Sequence, residues 1–157
     1  MDKITVAHHS LPLRTITCQI GESSFEGIMD EGSTVVAMSQ STWEAVGKPL
    51  DPTLVMHMEV ANGQTSHTAG VMLNFPVIIA GLTFHLQIQV VENAPFDILL
   101  GKPFYALSRA MIFTELDGRT LVTLTDPNTH QKATVATRKR VLTSKKRFPD
   151  ALSDKDF

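Results

Sequence analysis

Asp30 is the residue whose type and setting point most directly to chemistry in this 157-residue chain. It ends an apolar run over residues 25–29, and Gly32 follows two positions on. A carboxylate at a strand end beside a tight turn is held rigidly, and glycine lets its backbone approach a partner closely. The chemistry open to such a group is general acid–base work. An ionised carboxylate takes a proton from water, and a protonated one donates to a carbonyl oxygen. Asp-x-Gly is also an ordinary turn sequence, so the same residues read as a plain turn aspartate. Neighbouring Ser33 lacks the Gly-x-Ser-x-Gly elbow of a serine nucleophile and reads as structural. Cys18 lies on the apolar face of its strand without a charged neighbour pattern and reads as a small core residue.

The elements that position Asp30 are mostly short strands separated by turn signals. In residues 14–20, Ile16, Cys18 and Ile20 alternate with Thr15, Thr17 and Gln19, which predicts one inward and one outward face. Residues 21–24 read as a turn, 25–29 as the returning strand and 34–38 as a further apolar run. Residues 39–47 form the first helix candidate. Ser39 or Ser41 can cap it, Ser41 with Glu44 fits a capping box, and Gly47 followed by Pro49 closes it. Asn62-Gly63 predicts a two-residue hairpin turn, which pairs Ala61 with Gln64. The strand after that turn runs over residues 64–69. Residues 71–79 and 82–91 are further strands about Ala80-Gly81, and in the second Leu82, Phe84, Leu86, Ile88 and Val90 alternate with Thr83, His85, Gln87 and Gln89. Residues 98–100, Ile-Leu-Leu, show no alternation, as in a strand buried on both faces. Gly101 ends that run, and Pro103 opens a second helix over 104–110. Residues 111–115 and 119–125 flank Asp117-Gly118 as a hairpin, and 132–137 form a last strand.

Residues 25–38, FEGIMDEGSTVVAM, resemble the active-site loop of retroviral and long-terminal-repeat retrotransposon aspartic proteases. In that family an apolar strand leads into Asp-Thr/Ser-Gly-Ser/Ala and then a second apolar strand. Residues 98–101, ILLG, resemble its second signature, a triplet (Ile98, Leu99, Leu100) and Gly101 that packs behind the loop and leads into a short helix. Ala61, Asn62 and Gly63, with Gly70 beyond, look like the flap hairpin that closes over bound peptide. The resemblance covers roughly residues 13–125 and holds the three motifs in order. It implies an all-β, retropepsin-like acid-protease barrel with one or two short helices. It further implies Asp30 as the catalytic carboxylate, Gly32 as the residue that allows the tight loop, and Ser33 as the support of that carboxylate. Ala61, Asn62 and Gly63 are then at or near the flap tip, against substrate backbone. The implied activity is aspartic endopeptidase cleavage, in retroelement polyprotein processing. No metal or cofactor is needed.

That chemistry requires two aspartates. Two close carboxylates sharing one proton supply one ionised and one protonated group, because like charges push their pKa values apart; aspartic proteases are the standing example. The chain holds one Asp-x-Gly-Ser, and a two-lobed chain would need a second and about twice the length, so the resemblance implies a homodimer about a two-fold axis. Glu31 departs from the family's Thr or Ser, whose hydroxyl reaches across the dimer. An ionised glutamate only accepts hydrogen bonds. It therefore raises the rival reading of a non-catalytic dimerisation or peptide-binding domain of the same fold. Lys102, where relatives often carry Arg, cannot make Arg's bidentate carboxylate pair.

Of the six histidines, the two-residue turn pairs His57 with Thr68 and His67 with Met58, on opposite faces, which makes them a poor metal pair. Charge divides the chain. Residues 1–137 carry 7 Lys/Arg against 13 Asp/Glu, and residues 138–147 carry 6 Lys/Arg and no acid. The resulting organisation is an N-terminal arm (1–12), a domain (13–137) and a basic tail (138–157). The basic segment 138–147 reads as a solvated linker, a lead into another domain of a polyprotein, or a nucleic-acid contact; aromatic interleaving is missing apart from Phe148. A purely nucleic-acid-binding β domain fits this tail but not the acidic body. No apolar run reaches the length of a membrane span. The N-terminus lacks signal-peptide regions, and one cysteine forms no internal disulfide, so an intracellular compartment, cytoplasmic or nuclear, is expected.

Overall fold

A computed structural model describes residues 3–54, 57–59 and 65–140. Eleven strands and two helices follow one another as β1 (Arg14–Ile20), β2 (Ser23–Met29), β3 (Val36–Ser39), α1 (Gln40–Val46), β4 (His57–Glu59), β5 (Thr65–Ile79), β6 (Leu82–Val91), β7 (Ile98–Leu100), α2 (Lys102–Ser108), β8 (Met111–Thr114), β9 (Thr120–Thr125), β10 (Lys132–Ala136) and β11 (Arg138–Lys139). The large sheet runs β11-β1-β2-β7-β3-β6-β5-β4, and a further β1–β5 pairing closes six of its strands into a barrel. Strands β10, β9 and β8 form a second, three-stranded sheet.

The barrel fills with alternate residues of its strands. Ile16, Cys18, Val77, Ile79, Phe84, Leu86, Ile88, Ile98 and Leu100 are buried in one cluster, which Val122 and Leu124 of β9 extend. Burying a side chain of this size contributes about 1.5–3 kcal/mol, so the alternation in β1 and β6 decides which face turns inward. Two outward positions depart from the expected pattern. Thr15 is buried, with its hydroxyl donating to the Arg138 carbonyl at 3.4 Å, and Gln89 is buried with no partner for its side-chain oxygen among the described residues.

Ser39, not Ser41, caps α1: its hydroxyl accepts the Thr42 N–H at 3.1 Å, and Gly47 ends the helix with φ 71°. The expected strands 64–69 and 71–79 are a single strand, β5, which absorbs its irregularities as register shifts at Thr68/Gly70 and Met72/Phe75. Gly70 stands where segment 51 bridges Val71, and an added Cβ there would lie 2.5 Å from the Asp51 carbonyl oxygen.

The β4–β5 hairpin carries a correction. Its register is His57 with His67, Met58 with Ser66 and Glu59 with Thr65, one residue away from that of a two-residue turn. Five residues separate the last pair, a loop length that hairpins also adopt. Alternation on each strand cannot distinguish these pairings, and a one-residue slip exchanges the faces. His57 and His67 therefore occupy directly paired positions.

The basic segment does not begin as a tail. Arg138 and Lys139 form β11, paired with Thr15 and Arg14, and the Arg140 N–H donates to the Leu13 carbonyl at 2.9 Å. Strand β8 is an edge strand whose four residues are all exposed, Met111, Ile112 and Phe113 among them. Among the described residues no helix is long and apolar enough to cross a membrane.

Candidate active site

Strand β7 lies between the two strands that flank the Asp30 loop. It pairs in parallel with β2 (Gly27 with Ile98, Met29 with Leu100) and antiparallel with β3 (Ala37 with Leu99). Ile98 and Leu100 are fully buried and Leu99 is half-buried, so the triplet is wedged beneath the loop. Gly27 makes room for this: an added Cβ would sit 2.5 Å from the Cys18 sulfur and 3.0 Å from a Leu100 methyl.

The loop is tied down atom by atom. The Asp30 N–H donates to the Leu100 carbonyl at 3.0 Å, and the Ser33 N–H returns to the Asp30 carbonyl at 3.0 Å. The Gly32 N–H donates to the Asp30 carboxylate oxygen Oδ1, also at 3.0 Å. One oxygen of the half-buried carboxylate is thus oriented by its own turn, and the other keeps its acceptor capacity. Ser33 supports the backbone and not the carboxylate, since its hydroxyl donates to the Val35 carbonyl at 3.0 Å. Beneath the turn, the Lys102 N–H donates to the Ser33 carbonyl at 2.7 Å. This bond uses the main chain and does not depend on the side chain at position 102. At Gly101 an added Cβ would overlap the Val35 carbonyl oxygen and reach within 2.8 Å of the Ser33 carbonyl oxygen. The glycine that ends the ILLG signature is there for that close approach.

The structure therefore brings together Asp30, Glu31, Gly32 and Ser33 with Ile98, Leu99, Leu100 and Gly101. Glu31 is exposed at the loop tip, next to Asp30. Ala61, Asn62 and Gly63 lie outside the described residues. Among the described residues, no group of three or more His, Cys, Asp or Glu is placed to hold a metal ion. Cys18 is fully buried, and that burial, with Asp97 second, pushes its thiol up to about 12.

Tyr105 is the residue that sequence reasoning passed over. It follows the buried Phe104 in α2 and is half-buried. Burial first, then the charges of Glu31 and Asp30, push its phenol up to about 12. The signal was its place one helical turn after Gly101, in a chain with one tyrosine.

Residues 16–104 match the sequence profile of a family described as aspartyl protease. The chain also resembles the crystal structure of the retroviral protease-like domain of Ddi1 from Leishmania major. That domain is 17% identical with a TM-score of 0.61, over 80% of this chain and 96% of that one. No match was found among curated proteins. The fold is retropepsin-like, and the chain belongs to the aspartyl protease family.

Proposed function

We propose that this member of the aspartyl protease family is an aspartic endopeptidase that works as a homodimer, with Asp30 of each protomer supplying one of two catalytic carboxylates. The observation that carries this reading is the tethering of a single Asp30 loop. Its backbone is bonded to Leu100 and its carboxylate to the Gly32 N–H, in a chain with one such loop. Hydrolysis then proceeds without a covalent intermediate. The ionised Asp30 of the pair takes a proton from water as the oxygen attacks the peptide carbonyl. The protonated one donates to the carbonyl oxygen, and the two exchange roles as the amine departs.

The edge strand β8 supports assembly. Met111 and Phe113 are 66% and 62% exposed, and an unpaired apolar edge is a template for another strand. An extended peptide binds by strand addition beneath the β4–β5 hairpin, and the sequence resemblance assigns Ala61, Asn62 and Gly63 to contact with its backbone. The substrates that the sequence resemblance implies are retroelement polyproteins.

The test is cleavage of a peptide library by the purified chain from pH 3 to 7 at several protein concentrations, with Asp30→Asn alongside. Activity that rises more steeply than concentration and vanishes in the variant is expected. The exposed Glu31, without a paired cation among the described residues, favours a second reading, a non-catalytic dimerisation or peptide-binding domain. A folded dimer that binds peptides and cleaves none across that range would establish the second reading.

A further inference from the structure

Glu31 sets a problem for any two-fold assembly of this loop. Asp30 and Glu31 from two protomers place four carboxylates near one axis. A proton-sharing pair needs two of them, and the other two must be drawn aside. An ionised carboxylate accepts hydrogen bonds and donates none, so a donor has to come from a neighbouring element.

Helix α2 is that element. It starts directly under the loop, where Gly101 meets the Ser33 and Val35 carbonyls and the Lys102 N–H bonds Ser33. Phe104 anchors the helix in the core, its ring edge-on to Phe84 at 5.4 Å. The next residue, Tyr105, has its ring centroid 6.2 Å from that of Phe104 and shares a cavity of about 220 Å³ with Met29, the residue before Asp30. Neither Glu31 nor the Tyr105 hydroxyl has a hydrogen-bond partner among the described residues of the single protomer. Glu31 is exposed and free to turn, whereas the tyrosine ring is held.

We propose that Tyr105 is a positioning residue whose hydroxyl donates to the Glu31 carboxylate of its own protomer and draws it off the two-fold axis, leaving the two Asp30 carboxylates to share a proton. This rests on the reading of Asp30 as a catalytic carboxylate. The electrostatics agree, because burial first, and then the charges of Glu31 and Asp30, keep the phenol protonated, and so a donor.

Tyr105 is the only tyrosine and Trp43 the only tryptophan, so phenolate absorbance reads the first while indole emission reports folding. Burial, the larger cause of the Tyr105 midpoint of about 12, persists in Glu31→Gln, and the midpoint there falls below that of the parent chain. An unchanged midpoint overturns the proposal. A double-mutant cycle on the dimer dissociation constant gives the second reading. Tyr105→Phe keeps the ring and weakens the dimer about tenfold, as expected for loss of a hydrogen bond to a charged group. In a Glu31→Thr background the same change has no effect. Equal losses in both backgrounds mean that Tyr105 only packs, and coupling of Glu31 to Lys102→Gln instead assigns the donor to Lys102; either result sinks the idea. Peptide cleavage by the parent chain is scored separately. Coupling without cleavage keeps the Tyr105–Glu31 pair and removes the protease reading; cleavage without coupling does the reverse.

Discussion

Gly101→Ala tests whether the ILLG signature acts through the close approach beneath the Asp30 loop. Gly101 has φ −89°, a backbone setting that alanine adopts freely, so any cost comes from space. The new methyl meets the Val35 and Ser33 carbonyl oxygens, which are main-chain atoms fixed by β7 and α2. Forcing an extra methyl into such packing costs about 1–3 kcal/mol. Displacing the Ser33 carbonyl breaks its 2.7 Å bond from the Lys102 N–H, and leaving such a group unpaired adds about 1–3 kcal/mol. Together these come to about 4 kcal/mol, which at roughly 2–4 °C per kcal/mol lowers the melting temperature by about 8–16 °C. Gly21→Ala is the reference. Its φ of +59° carries a backbone cost of about 1–2 kcal/mol, but no atom lies within 4 Å of the new Cβ. Thermal melts followed by circular dichroism should rank Gly101→Ala well below Gly21→Ala. If Gly101→Ala melts no lower than Gly21→Ala, the close approach is not what fixes the loop.

Gly32→Ala puts a methyl 3.1 Å from the Asp30 carboxylate oxygen; peptide cleavage should fall roughly ten- to hundredfold with little change in melting temperature, and unchanged turnover would show that the turn does not orient the carboxylate. Glu31→Thr restores a hydroxyl at the loop tip and should tighten the dimer near pH 7 in sedimentation equilibrium, where an unchanged or weaker dimer counts against a repulsive Glu31. Asp51, Asp117 and Asp126 are held below the ordinary aspartate value of 3.8, chiefly by hydrogen bonds from the Thr53 hydroxyl, the Arg119 N–H and the Asn128 N–H respectively. Their native pKa values are depressed, so the stability they contribute is complete above 3.8 and is lost as pH falls through the native values. Stability against denaturant should thus fall as pH drops below 3.8, and Asp126→Asn should flatten part of that slope. Cys18, buried and with its thiol pushed up to about 12, should resist alkylation in the native chain and react on unfolding; native labelling at the rate of a free thiol would contradict the closed barrel.

The parts of the fold legible in the sequence were those fixed by local pattern. The alternation of β6, the unbroken Ile-Leu-Leu of β7 and the Asp-x-Gly turn each carry their structural role in consecutive residues. What escaped depends on partners remote in the chain. Thr15 looks outward by period, yet it is covered by β11, 123 residues away. Gly70 reads as a break between strands, yet β5 runs through it because segment 51 pairs at that point. The hairpin register follows from loop length, on which the alternation of β4 is silent. Charge density marked residue 138 as the start of a tail, but the main chain of Arg138 and Lys139 pairs with β1 whatever the side chains carry. Asp30, Glu31, Gly32, Ser33 and residues 98–101 were found because they sit in two short motifs. Tyr105 was missed because its nearness to the loop arises from α2 starting beneath it, where the Lys102 N–H bonds the Ser33 carbonyl, a relation that no motif encodes.

The pairing of β11 with β1 also fixes how the barrel answers a pull. The chain enters at Leu13 and leaves at Arg140, two residues joined by a single 2.9 Å hydrogen bond, with the Arg14–Lys139 and Thr15–Arg138 pairs behind it. Tension between those two points acts across the ladder, so it loads one rung at a time, as in opening a zip. Next in line are the Arg14 guanidinium bonds to Thr137, both 2.9 Å, and Thr137 in turn holds the Thr120 carbonyl. Force applied at the ends peels β11 from β1 first, and it reaches the β9–β10 sheet through Thr137 and segment 95 through the Arg140 guanidinium, which donates to the Pro95 carbonyl at 2.9 Å. β11 lies outside the six strands that close the barrel, so its loss leaves the β1–β5 closure in place.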